Sequence, residues 1–98
     1  MTLKIKRGAD EITVKAVGRL DSFTAPVLEK TINKLACDAP SIILDMSGIE
    51  MISDAGIEIL LGTHKKISEM GELKLIGARE SVIEVLKNSG CADALLVG

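Results

Sequence analysis

Aromatic residues are almost missing from this 98-residue chain, which has one Phe and neither Trp nor Tyr. Stacking of bases on aromatic platforms, the sequence-tolerant way to hold single-stranded nucleic acid, is therefore excluded, and the core has to be aliphatic. Positive charge is not in excess: 12 Lys and Arg stand against 14 Asp and Glu. Neutralising a phosphate backbone needs a concentrated basic surface, so no direct nucleic-acid partner is expected. Long apolar runs are lacking too. None approaches the roughly 20 residues that span a bilayer, and no basic stretch leads into an apolar core and cleavage site. The expectation is a cytoplasmic protein without membrane insertion. Cys37 and Cys91 are too far apart for a paired metal or redox motif and read as reduced thiols, buried or half-buried.

The usual signatures of catalysis are also wanting. Neither GxxxxGK followed by Ser or Thr nor GxGxxG occurs, which removes the common phosphate-cradling loops. His64 has no second His or Cys at ligand spacing, so no metal site is expected. Glu50, Asp54 and Glu58 are near in sequence, but an acid/base pair needs two carboxylates facing one cleft with separated proton affinities. Ser22 and Ser53 lack the GxSxG turn of a hydrolase nucleophile, and helix capping accounts for both. The expectation is a binding domain, with no enzyme activity and no cofactor.

What is present is regular. Leu3 and Ile5 alternate with Lys4 and Lys6, and Ile12, Val14 and Ala16 with Thr13 and Lys15, the period of half-buried strands. Gly8, Ala9 and Asp10 turn a hairpin between them. Beyond Gly18 the period becomes helical: Ser22 or Thr24 can cap, Pro26 suits a first turn, and Val27, Leu28, Ile32 and Leu35 give one apolar face. Ser41 to Asp45 is a short β-branched run suited to a strand covered on both faces. Ile57, Leu60, Leu61, Ile67 and Met70 repeat at helical spacing from about Asp54, and Gly71 stops them. Leu73 to Ile76 is a further strand. Val82, Ile83 and Leu86 form a helix ending near Gly90, and Leu95 to Val97 a possible last strand. The order ββαβαβα(β) predicts one α/β domain over residues 1–98, with a mixed, mostly parallel sheet of four to five strands and helices mainly on one face.

The stretch from Ile43 through Asp45-Met46-Ser47-Gly48 to Ser53-Asp54-Ala55-Gly56-Ile57 resembles the STAS domain of bacterial anti-sigma factor antagonists. In that family a buried strand ends in an Asp-rich turn, and (Asp/Ser)-Ser-(Ser/Ala/Thr)-Gly-(Leu/Ile) opens a helix. Gly18-Arg19-Leu20-Asp21-Ser22-Phe23-Thr24-Ala25 is similar to its Gly-x-Leu-Asp-x-x-Thr-Ala stretch. Glu72 to Gly90 resembles its late strand, turn, helix and Ser-Gly ending, so the likeness covers almost the whole chain.

The resemblance implies partner switching with a serine-kinase anti-sigma factor or related sensor, through a face comprising Asp21, Ser53, Asp54, Ala55 and Gly56. In typical members the second residue of the helix-opening motif is the phosphorylated serine, and here it is Asp54. Three readings of that position stand: a helix cap, a fixed charge that imitates phosphoserine in part, or a shift of the phosphoacceptor back to Ser53. Asp21 is either part of the partner face or a turn residue. Met51 and Ile57 are either core or apolar partner contacts. The same resemblance allows a subunit of a membrane transport system that binds its ATPase or permease.

Overall fold

The computed structural model describes residues 1–69 and 71–88. Strand β1, Thr2–Arg7, and strand β2, Glu11–Leu20, form an antiparallel hairpin in which Leu3 faces Ala16 and Ile5 faces Val14. Its turn is closed by Gly8 N donating to Glu11 O at 2.7 Å. Helix α1, Ala25–Leu35, leads to strand β3, Ser41–Ile52, which lies parallel to β2. Helix α2, Asp54–Ser68, returns the chain to strand β4, Glu72–Ile76, parallel to β3. Helix α3, Glu80–Asn88, follows. The sheet order is β1-β2-β3-β4, so β2 and β3 are central. The predicted α/β order and mixed sheet match this arrangement.

Parallel pairing places Ile12 beside Ile42 and Val14 beside Leu44, while Leu73 and Leu75 sit beside Ile42 and Leu44 on the other side. Period 2 then puts all of these side chains on one face of the sheet, where every one is buried. The helices cover them. In α1 the buried positions are Ala25, Leu28, Ile32 and Leu35, and in α2 Gly56, Ile57, Leu60, Thr63 and Ile67. Buried Thr63 is accommodated because its hydroxyl donates to Ile59 O at 2.8 Å. Val82 and Leu86 of α3 are buried as well, and that helix lies against β3. Burying each large aliphatic side chain stabilises the fold by about 1.5–3 kcal/mol, so the stripe along β2 and β3 is its main support.

Several expectations need correction. The strand predicted over Ser41–Asp45 continues to Ile52. Register shifts between Lys15 and Val17 and between Gly18 and Arg19 break strict alternation, so Ile49 and Ile52 stay buried although they are three residues apart. Gly18, at φ +121, occupies backbone space closed to other residues at this irregularity. Val27 is 55% exposed, because it sits about 100° around the helix from Leu28 and off the covered stripe. Ile57 is buried, which removes it as a partner contact and leaves Met51 exposed. Cys37 is also exposed, in the turn beyond α1. The readings at Met70, Gly90, Cys91 and Leu95–Val97 lie outside the described residues.

Candidate functional site

Two helix entrances meet at one end of the sheet. β2 ends at Leu20, and its carbonyl accepts from Ser53 N at 2.9 Å, joining the exit of β2 to the residue that opens α2. The approach is close enough to dictate sequence. A Cβ at Gly56 would come 2.6 Å from Leu20 O, so only glycine lets the first turn of α2 rest on the end of β2. Gly56 is buried for that reason, Ala55 and Ser53 are half-buried, and Asp54 is exposed.

Ser53 is the N-cap of α2. Its backbone is extended, its Oγ accepts from Gly56 N at 3.1 Å, and its carbonyl accepts from Ile57 N at 2.9 Å. The capping expected of Ser53 is found, whereas the cap reading of Asp54 does not hold, because Asp54 is the first helical residue. Asp54 has no side-chain hydrogen bond or ion pair with the described residues. Its carboxylate lies at the positive end of the helix dipole, which stabilises an anion within the first turn.

Asp21 works differently. Its Oδ1 accepts from Phe23 N at 2.9 Å and Thr24 N at 3.0 Å. Thr24 Oγ1 accepts from Asp21 N at 2.9 Å and donates to Arg19 O at 2.6 Å. These reciprocal bonds across three residues have the pattern of a capping box but close the turn before α1, and Ala25 N reaches Asp21 O at 2.8 Å as the chain becomes helical. The backbone N–H of Thr24, then that of Phe23, holds the Asp21 carboxyl below the usual aspartate range, with Arg19 adding to the effect and burial opposing it. Ser22, a predicted cap, is exposed in the turn and caps nothing.

A further carboxylate, on β3 beside the last residue of β4, has a structural task. Asp45 Oδ1 accepts from Ser47 N at 2.9 Å, and that bond chiefly lowers its pKa against the desolvation that would raise it. Arg79 Nε donates to Ser47 O at 3.1 Å and ties the start of α3 to the same bend. His64 is half-buried on α2, and among the described residues no cluster of three or more His, Cys, Asp or Glu could hold a metal ion. No described helix is long and apolar enough to cross a membrane.

The expected site residues Asp21, Ser53, Asp54, Ala55 and Gly56 therefore lie on two segments joined by the Leu20–Ser53 bond. Thr24, one of the two predicted caps, is the residue before α1, but its hydroxyl holds the turn and makes no cap bond to the helix. Sequence reading passed over Phe23, which no periodic pattern includes and which is 86% exposed.

Among the described residues, a four-stranded mixed sheet with this crossover order, and a helix whose capped N-terminus stands beside the end of β2, define a small α/β module with one built end. The STAS domain family model matches residues 2–97, and the chain belongs to that family. It is similar to the anti-sigma-B factor antagonist of Bacillus subtilis, 24% identical over 97% of this chain and 88% of the relative. The anti-sigma-F factor antagonist RsfB of Mycobacterium tuberculosis is 33% identical over 66% of this chain and 53% of its own length. Among solved structures, an anti-sigma factor antagonist from Mycobacterium paratuberculosis superposes with a TM-score of 0.83 at 22% identity, covering 96% of this chain and 81% of that one.

Proposed function

We propose that this STAS domain is a cytoplasmic regulator, and not an enzyme, that docks on a serine-kinase anti-sigma factor through the face formed by Asp21, Ser53, Asp54, Ala55 and Gly56. The observation that carries the reading is the exposed, unpaired carboxylate of Asp54 at the N-terminus of α2, braced by the Leu20–Ser53 bond. This is where an anion is stabilised. Asp54 fills the place of the phosphoacceptor serine and supplies one permanent negative charge where phosphoserine would carry about 1.5 to 2. The charge of the face is then set by sequence and is not switched by phosphorylation there. Ser53 is a poor substitute acceptor, because its Oγ already caps Gly56 N. Both curated relatives are named as antagonists of anti-sigma factors, which favours this reading over a transport subunit.

The test uses purified serine-kinase anti-sigma factors from the source organism, titrated with the wild type, Asp54→Ala and Asp54→Ser. At least one kinase should bind, and both substitutions should change its affinity by at least a few-fold. With ATP, Asp54→Ser should accept phosphate while the wild type stays unmodified at residues 53 and 54 by mass spectrometry. Unchanged affinity in both variants would show that the face is elsewhere, and phosphate on Ser53 would revive the shifted acceptor.

A further inference from the structure

Phe23 is the only aromatic residue in the chain, and among the described residues it is the most exposed of the large apolar side chains, at 86%. An aromatic ring left in water in an otherwise aliphatic protein contributes nothing to this core. Nor is it on a loose loop. Its own N–H is held by Asp21, the next N–H is held by the same carboxylate oxygen, and Thr24 Oγ1 clamps the turn to Arg19 O. A ring presented on a fixed backbone gives up little conformational freedom on binding, a property shared by aromatic hot spots at protein interfaces.

Its surroundings point to the chemistry of what covers it. Exposed Val27 lies in the first turn of α1, four residues on, and exposed Met51 lies on β3 three residues before Asp54. Glu50 and Glu58 are exposed on either side of Asp54 in sequence. Arg19, the cation beside Asp21 and the register partner of Met51, offsets only one of these charges. The exposed ring thus stands at an end of the sheet where the Leu20–Ser53 bond brings together two segments that carry Asp21, Asp54 and, one helical turn on, Glu58, against the single cation Arg19, and this balance suits an apolar socket bordered by Lys and Arg.

We infer that Phe23 is the apolar anchor of partner docking, that Asp21 is a positioning residue acting through it, and that the anti-sigma factor receives Phe23 in a socket with a basic rim. The inference rests on the proposed function and adds to it the contact that holds the complex.

Isothermal titration of the same purified kinases separates the two claims. Phe23→Ala should weaken binding about tenfold or more, while its thermal midpoint stays at the wild-type value because the ring is exposed. Asp21→Asn keeps an oxygen that accepts from Phe23 N and Thr24 N, so it should retain affinity within about threefold, whereas Asp21→Ala should lose clearly more. Because the chain has a single Phe, its ring resonances give a direct readout and should shift or broaden when the kinase is added. Affinity should fall as salt is raised. If the wild type binds and Phe23→Ala binds equally well, the anchor is refuted and the proposed function survives. If Asp21→Asn is as damaging as Asp21→Ala, the positioning role is refuted in favour of direct charge contact. If the wild type binds none of the kinases, both proposals fall.

Discussion

At the entrance to α1, the carboxylate of Asp21 accepts two backbone N–H groups and lies beside a threonine that bonds back across the turn. At the entrance to α2, a serine hydroxyl performs the capping, and the carboxylate of Asp54, one residue on, is left to solvent. Both entrances open helices at the same end of the sheet and are joined by one backbone bond. One uses its charge internally and the other presents it outward. An acidic residue at a helix start is therefore not one kind of feature: what the neighbouring backbone donates decides whether the charge is structural or free for recognition.

The contrast can be broken most severely at the packing that brings the entrances together. Gly56→Ala should destabilise the fold by about 1–3 kcal/mol, because the new Cβ meets a backbone carbonyl that cannot rotate away. A chemical denaturation series would register this as a lower midpoint with little change in slope. Ser53→Ala removes the acceptor for Gly56 N and should cost about 0.5–2 kcal/mol, measurable in the same way.

The Asp21 carboxylate should show itself through pH. Its folded pKa lies below the unfolded one, so its contribution is fully present above the ordinary aspartate range and is lost as pH falls through the folded value. Asp45 has the same sign, so both act on the acid limb. Asp21→Asn should flatten the fall of stability with pH at and below the ordinary aspartate range while leaving Asp45's part, and an unchanged acid limb would mean that the Asp21 bonds do not persist in solution. The smallest effect on stability is expected at Asp54, where Asp54→Asn removes only an exposed charge near the helix dipole, worth about 0.3–1 kcal/mol. A loss as large as that of Ser53→Ala would show that Asp54 shares the capping and would erase the contrast.

Much of the fold was legible because hydrophobic period and punctuation agree along most of the chain. Ile12, Val14 and Ala16 alternate as strand residues do, and Leu28, Ile32 and Leu35 recur as helix residues do. The second half of β3 was not legible, because bulges in its pairing with β2 spoil the alternation that marks a strand. Exposed Cys37 was misread for a different reason: its free thiol is in a turn, and composition alone says nothing of which turn residues are covered. At the candidate site, Ser53 and Asp54 could be seen as a helix start, but assigning the cap to one or the other needed the bond from Gly56 N.

The sequence alone determined the order of strands and helices, the aliphatic core and the presence of two acidic helix entrances, because these follow from side-chain period and from local capping chemistry. Only the tertiary structure decided that Leu20 O would meet Ser53 N, that Gly56 would have to be glycine, that Ile57 would be buried and that Phe23 would face solvent. Those outcomes depend on how α2 docks against the end of β2. The contact joins residues more than 30 positions apart and is set by packing of the whole sheet, which no local period encodes.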